Sequence, residues 1–233
     1  MTVDDQRAYD RGTSIFSPDG RLYQVEYARE AVSQGAPVVG VCGADGVALA
    51  AHVPRRSPLV RADSVEKLHV IDGRIGVASA GHAADARRLV DIARRSAQAE
   101  RLRYDEPATV ESVATTVADH VQEHTQAGGA RPYGTALLVA GVGDEPRLFE
   151  TDPSGATQAW RADAVGRGAD EAVAHFEEHY RPELTTADGL GLALDGLSTV
   201  VDDLASDEVD AVTVDAGGYA AVSGERVGEL LAG

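Results

Sequence analysis

The chain is poor in residue types that often form disulfides, metal sites or membrane contacts. Among 233 residues there is one cysteine, one methionine, one tryptophan and one lysine. The single cysteine, Cys42, cannot form an internal disulfide, which favours a reducing cytoplasm, and its apolar neighbours predict a buried core residue. No apolar run reaches the roughly 18 residues that a membrane span needs, and the polar start of the chain lacks a secretory-signal pattern. We therefore expect a cytoplasmic protein with no membrane partner.

Basic residues are also scarce. The sequence has 38 acidic and 21 basic residues, a net charge of −17, and 20 of the 21 basic residues are arginine. This balance argues against a nucleic-acid partner, which needs a basic surface. An ordinary solubilising surface would explain the acidity. The low aromatic content of 5% instead favours adaptation to high salt, where charges are screened within about 3 Å at 1 M.

The most informative segment that is present runs from Tyr9 to Val32. It contains a Ser-Pro-Asp-Gly turn, Ser17 to Gly20, and then an amphipathic helix. Proline presets its own φ, aspartate bonds its own backbone and glycine accepts a positive φ, so the turn is well specified. The residues that recur at three- and four-residue steps and predict one helix face are Leu22, Val25, Ala28, Arg29 and Val32.

Hairpins and helix pairs alternate along the rest of the chain. The predicted strands are Val38–Cys42, Val47–His52, Leu68–Ile71, Arg74–Ser79, Thr135–Val142, Arg147–Thr151, Thr157–Val165, Val209–Val214 and Tyr219–Val222. The predicted helices are His82–Arg103 with Leu102 on its apolar face, Thr109–Thr125, Asp170–Tyr180, Thr186–Leu204 and Glu225–Leu231. This order predicts an α+β fold with two stacked antiparallel sheets between helical layers. No linker interrupts it, so we expect one domain over residues 1–233.

Two weaker patterns carry no chemistry in our interpretation. Gly166-Arg167-Gly168 resembles part of a phosphate loop but lacks the third glycine and the downstream lysine, which favours a structural turn. His175 and His179 are four residues apart on one helix, yet no acidic residue completes a metal set. We therefore expect neither a metal nor a cofactor.

Seven segments, in the same order along the chain, resemble those of a proteasome α subunit of the archaeal, haloarchaeal type. They are Tyr9–Arg11 (YDR), Phe16–Leu22 (FSPDGRL), Gln24–Ala28 (QVEYA), Ser64–Lys67 (SVEK), Ala84–Ala86 (ADA), Arg131–Gly134 (RPYG) and Glu150–Gly155 (ETDPSG). The resemblance implies the four-layer αββα sandwich of the N-terminal-nucleophile hydrolases. In that family, heptameric α rings cap the catalytic β rings, gate substrate entry and dock regulatory ATPases.

The implied partners are other α subunits in a homo- or mixed heptamer, β subunits, a regulatory AAA ATPase and unfolded protein substrates. The chain itself is expected not to catalyse, because an N-terminal nucleophile must sit at a processed chain end. Here about 35 residues precede the first predicted strand, which begins near Ala36-Pro37. The alternative is a catalytic, β-type threonine protease subunit, and a third possibility is a monomeric binding module.

The resemblance also implies residue roles at three places. The gate cluster would be Tyr9, Asp10, Pro18 and Tyr27; the pocket for an activator's C-terminal carboxylate would include Gly35, Lys67 and His82; and the pore annulus would comprise Gly128, Gly129, Arg131, Pro132, Tyr133 and Gly134. Ordinary turn, packing and surface roles are the plainer interpretations. For Lys67, the absence of any other lysine favours a position that requires a compact ammonium group.

The sequence departs from the family pattern near each of these places. Gly12-Thr13-Ser14 replaces a more apolar stretch, His82 stands beside the activator pocket where an apolar residue is usual, and Ala127 replaces an aromatic residue beside the annulus. These departures predict altered gate behaviour and partner choice, as in a secondary α isoform.

Overall fold

The computed structural model describes residues 23–55, 57, 59–61, 64–126 and 130–233. The helices are α1 (Tyr23–Ser33), α2 (Ala83–Tyr104), α3 (Val110–Gln126), α4 (Ala169–His179), α5 (Thr186–Val200) and α6 (Gly224–Leu231). The strands are β1 (Val38–Cys42), β2 (Gly46–His52), β3 (Leu68–Ile71), β4 (Ile75–Gly81), β5 (Thr135–Val142), β6 (Pro146–Thr151), β7 (Thr157–Trp160), β8 (Ala162–Val165), β9 (Val209–Asp215) and β10 (Gly218–Ala221).

The strands form two five-stranded antiparallel sheets, as the element order predicts. The first sheet has the order β10-β9-β2-β1-β8 and the second sheet the order β3-β4-β5-β6-β7. Side chains alternate along each strand, so one set points between the sheets and the other set towards a helical layer. In β6, for example, Leu148 packs between the sheets while Phe149 packs under α2 and α3. The result is the αββα sandwich of the N-terminal-nucleophile hydrolase type.

Three apolar layers hold the sandwich together. One layer lies between the second sheet and helices α2 and α3, one lies between the two sheets, and one lies between the first sheet and helices α4 and α5. The strands are rich in valine and alanine because both sheet faces are covered, and β1 and β2 are buried along their whole length. Burial on both faces explains why these strands show continuous apolar runs instead of alternation.

Local signals set several boundaries at the predicted places. Asp72 and Gly73 both adopt positive φ, 49° and 71°, in the hairpin between β3 and β4, which is the conformation that an Asp-Gly turn provides. The Thr109 hydroxyl accepts a hydrogen bond from the Ser112 N–H at the start of α3. A capping box between Thr185 and Asp188 starts α5.

Four predictions about the elements are wrong in detail. The single predicted strand Thr157–Val165 is two strands, because the chain passes from the second sheet to the first at Arg161. Helix α5 ends at Val200, so Val201–Leu204 is not helical. Leu102 is 89% exposed and does not belong to the apolar face of α2. Arg29 is also exposed; the buried residues of α1 are Val25, Ala28 and Val32.

Among the described residues, no helix is both long enough and apolar enough to cross a membrane.

Candidate functional site

A stack of three glycines joins helix α1 to both sheets. The Gly35 N–H donates to the Val32 carbonyl, 2.8 Å away, at the end of α1. A Cβ on Gly35 would lie 2.6 Å from the Gly81 nitrogen, and one on Gly81 would lie 2.2 Å from the Gly134 carbonyl oxygen. Side chains at these positions would collide with backbone, so only glycine allows the three segments to approach this closely.

Lys67 points into this junction from the segment before β3. Its Nζ donates to the Ala36 carbonyl at 2.5 Å and to the His52 carbonyl at 3.3 Å. An ammonium group has three donors, and two of them have acceptors among the residues that the structure describes. Lys67 is half-buried.

Desolvation dominates the electrostatics around Lys67. Burial lowers its pKa from 10.5 to about 7, although the negative charge of Asp210 opposes the shift. Burial also lowers the pKa of His52, and its Nδ1 has no hydrogen-bond partner among the described residues. Because a buried amine is more stable as the ammonium ion beside an anion, this position is suited to a carboxylate.

His82 connects the junction to the segment Arg131–Gly134. Its backbone N–H donates to the Gly134 carbonyl at 2.8 Å, and its carbonyl accepts from the N–H groups of Asp85 and Ala86 in the first turn of α2. The imidazole is exposed, and a Cβ on Gly134 would lie 2.5 Å from its Cδ2 atom. The three residues predicted for the activator pocket therefore surround a common junction, with His82 on the side of Gly134.

Asp85 anchors the segment Arg131–Gly134 to α2. Its carboxylate accepts two hydrogen bonds from the Arg131 guanidinium, at 2.7 and 2.8 Å, and a third from the Gly134 N–H at 2.8 Å. Burial opposes ionisation, but these three donors hold the pKa of Asp85 below its usual range. The charge-assisted bidentate geometry fixes the path of the chain from Arg131 to Gly134.

The structure describes some of the other predicted site residues and not the rest. Tyr27 lies on α1 and is 59% exposed. Tyr9, Asp10, Pro18, Gly128 and Gly129 lie outside the described residues, as do the departures Gly12-Thr13-Ser14 and Ala127. Pro132 and Tyr133 are both buried, so the segment packs against the body of the molecule.

Three aspartates that are buried or paired in the structure were given no role from the sequence. Asp85 lies within the family-like ADA segment, which was the available signal. Asp152 receives two hydrogen bonds from Arg29, at 3.0 and 2.7 Å, which join α1 to the turn after β6. Asp163 is 3% exposed and points between the sheets, since it alternates with Ala164 of the outer layer. Nothing in the local sequence distinguishes this aspartate from an exposed one.

The pattern Gly166-Arg167-Gly168 forms a structural turn. Gly166 and Gly168 adopt positive φ in the turn into α4, where the Arg167 N–H donates to the Gly35 carbonyl at 2.8 Å. Within the described part of the chain, no three His, Cys, Asp or Glu side chains are placed to share a metal ion. Cys42 is buried, and burial raises the pKa of its thiol to about 12, as for an inert core residue.

Comparison with known proteins decides the family. A family model described as "Proteasome subunit" matches residues 32–214. The chain belongs to the proteasome subunit family. A second model, which describes the N-terminal signature of the A-type proteasome subunits, matches residues 9–31, so the chain is an α-type member.

Curated α-type relatives come from haloarchaea. The proteasome subunit named alpha 2 in Haloferax volcanii is 53% identical over 233 residues, which is 100% of this chain and 94% of that protein. The one named alpha 2 in Haloarcula marismortui is 55% identical over 92% of this chain and 89% of its own length. The alpha-type proteasome subunit of Halobacterium salinarum is 54% identical over 91% and 84%. The acidic, halophilic composition of this proteasome subunit fits these sources.

Proposed function

We propose that this proteasome α subunit is a non-catalytic component of the 20S core. It forms a heptameric outer ring with other α subunits, rests on β subunits that hold the protease sites, and gates the entry of unfolded proteins. It works in the cytoplasm. The observation that carries this proposal is the α-type N-terminal signature at residues 9–31, which lies ahead of the first strand.

The position of that signature supports the absence of catalysis. Strand β1 begins at Val38 and is preceded by Ala36, Pro37 and helix α1. A threonine nucleophile needs its own free amine as the base, and no threonine stands at the start of β1. Helix α1 is also built into the fold, because Val25, Ala28 and Val32 are buried and Gly35 fits against Gly81. Removing this segment would expose that apolar face.

The glycine junction supports docking of a regulatory ATPase. A C-terminal carboxylate would take the remaining donor of Lys67, while Gly35 allows its backbone to approach. Gating would involve Tyr27 together with Tyr9, Asp10 and Pro18, and the segment Arg131–Gly134 would line the pore annulus with Gly128 and Gly129. The exposed position of Tyr27 suits a contact between subunits. The hydrogen bonds to Asp85, which hold the segment Arg131–Gly134 in place, suit a constriction of fixed width.

The proposal is tested on the complex purified from its host at native salt. Native mass spectrometry is expected to give rings of seven α-type chains bound to β subunits, and a covalent threonine-directed inhibitor is expected to label the β chains only. Labelling of this chain would support the catalytic alternative. A monomer without β chains would support a stand-alone binding module and overturn the proposal.

Gate function has a separate test. Tyr27→Ala should leave the ring intact and reduce ATPase-stimulated degradation of an unfolded protein, because the exposed hydroxyl would no longer support the open arrangement. The matched control is Tyr104→Ala, which removes an equally exposed tyrosine at the far end of α2. Equal effects of the two substitutions would contradict a gate role for Tyr27.

A further inference from the structure

Two histidines on α3 pack against the tyrosine of the annulus segment. The His120 Nε2 atom and the Tyr133 hydroxyl are 3.0 Å apart, within hydrogen-bond distance. The His124 ring lies on the same tyrosine with ring centroids 4.5 Å apart. The two imidazoles are stacked on each other at 6.3 Å. These residues are four apart on one helix face, so both meet Tyr133 at once.

This cluster holds the segment Arg131–Gly134 on one side while Asp85 holds it on the other. Asp85 bonds Arg131 and the Gly134 N–H, and Tyr133, between them, is only 8% exposed. Two independent anchors on neighbouring residues restrict the segment more than either anchor alone. Asp85 is ionised throughout the neutral and mildly acidic range, because its pKa lies below the usual value. The histidine side is the anchor that titrates.

The surroundings of His120 disfavour positive charge. His120 is faced by Arg88 and Arg95 of α2, by His124 and by Glu123 of its own helix, and only Glu123 is negative. Burial, His124 and the two arginines lower the pKa of His120, against the opposing effect of Glu123. A second charge about 6 Å away would add a repulsion that the half-buried site screens poorly. The neutral form of His120 is therefore the one that fits this packing.

We propose that His120, His124 and Tyr133 form a proton-sensitive brace, which fixes the segment Arg131–Gly134 when both imidazoles are neutral and loosens it when both are charged. The loosening follows from repulsion between the stacked rings and from the preference of charged imidazole for water. Movement of the segment stands on this geometry alone. Any effect on substrate passage rests on the proposed function of the segment as a pore annulus.

Hydrogen–deuterium exchange of the full chain in native salt tests the brace. After correction for intrinsic exchange, peptides containing residues 131–134 should exchange about tenfold faster at pH 5.0 than at pH 7.5, the equivalent of one pKa unit. His124→Phe keeps an aromatic ring on Tyr133 but removes one charge, so its exchange should be equally slow at both pH values. Tyr133→Phe removes the hydrogen bond to His120, so its peptides containing residues 131–134 should exchange faster than those of the wild type at both pH values.

The chain offers a matched control on α4. His175 and His179 are also four residues apart with rings stacked at 4.2 Å, but they lie in the other helical layer. The double variant His175→Gln/His179→Gln should therefore behave like the wild type. Equal protection at both pH values in the wild type, or an undiminished pH response in His124→Phe, would overturn the brace.

Protein degradation by the assembled complex supplies a second readout. If exchange responds to pH and degradation of an unfolded protein changes in parallel, the brace acts on the pore. The other outcome is that exchange responds to pH while degradation shows the same pH dependence in the wild type and in His124→Phe. In that case the brace is supported and the annulus role of the segment is contradicted.

Discussion

Lys67 and Asp163 are two charged side chains withdrawn from water in the same sandwich, and their surroundings differ. The Lys67 ammonium has two backbone carbonyls as partners and points into the glycine junction. The Asp163 Oδ2 is buried between the sheets and finds no hydrogen-bond partner in the described part of the chain. Each pKa is shifted to about 7, in opposite directions, mainly by burial.

The two positions differ in the hydrogen-bond partners and neighbouring charges that surround the buried group. Around Lys67, two backbone carbonyls accept hydrogen bonds from the amine and orient it. Around Asp163, the negative charge of Glu150 raises the pKa of the carboxyl further, and only a backbone hydrogen bond from Ala164 opposes the shift. Glu150 follows Leu148 on the inner face of β6, and its own pKa is raised by burial. A buried charge therefore indicates a site only where partners are present, and elsewhere it destabilises the fold.

The strongest prediction concerns Lys67. Lys67→Ala should reduce ATPase-stimulated proteolysis to the unstimulated level, because the carboxylate of the activator tail would lose its only ammonium partner. Ring assembly should be intact by native mass spectrometry. The matched control is Arg87→Ala, which removes one positive charge from the exposed side of α2. Normal ATPase stimulation of Lys67→Ala would show that Lys67 does not bind the activator tail, and the contrast with Asp163 would then lose its functional meaning.

Asp163 is expected to give the largest gain in stability. Asp163→Asn should raise the free energy of unfolding by about 2–4 kcal/mol at pH 8, because the wild-type carboxyl must lose its proton in a buried site. The pKa of Asp163 rises from 3.8 unfolded to about 7 folded. Wild-type stability should therefore fall as pH rises from 4 to 7, and the advantage of the variant should vanish near pH 4.

Chemical denaturation across this pH range measures the effect. Asp195→Asn, on the exposed side of α5, is the matched control and should change stability by less than about 0.5 kcal/mol at every pH. A destabilised Asp163→Asn at pH 8 would mean that the carboxylate has a further partner for its Oδ2 atom in the assembled protein, and the contrast with Lys67 would disappear.

Asp85 extends the comparison to a buried acid that has partners. Asp85→Ala should lower the free energy of unfolding by about 2–3 kcal/mol, since Arg131 and the Gly134 N–H lose a charged acceptor. The pKa of Asp85 is depressed, so its contribution is complete above its unfolded pKa and is lost as pH falls through the folded value. Denaturation at pH 7 provides the measurement, and the exposed Asp91→Ala on the same helix is the control. A loss of unfolding free energy no greater than that of Asp91→Ala would show that the hydrogen bonds of Asp85 do not stabilise the fold.

The smallest effect is expected at the surface. Arg29→Ala breaks the bonds to Asp152 but should lower the free energy of unfolding by only about 0.5 kcal/mol, because Arg29 is 47% exposed. The solvent-exposed pair of Arg226 and Glu229 provides the comparison, with an expected change near zero for Arg226→Ala. Both effects should shrink further as KCl is raised, since molar salt screens surface charges. An effect of Arg29→Ala as large as that of Asp85→Ala would show that exposure does not govern these pairs.

Local patterns in the sequence determined much of the fold. The strands β1, β3 and β5 match their predicted bounds, because apolar runs bounded by turn residues leave few alternatives. Asp72-Gly73 and Thr109 specify their turn and cap through their own backbone and side-chain chemistry. The α-type signature, the single lysine and the acidic composition were also visible without a structure. These features depend on neighbours within a few residues or on whole-chain counts.

Tertiary structure alone decided the features that join distant segments. Arg161 marks the passage from one sheet to the other, which no local pattern distinguishes from a continuous strand. Leu102 looks like a core residue by spacing, yet it is 89% exposed, and Ala97 is the last buried residue of α2. The pairing of Asp85 with Arg131, the meeting of His120 and His124 with Tyr133, and the burial of Asp163 require chain segments brought together by packing. Their charges and pKa values follow from desolvation and from partners far away in sequence.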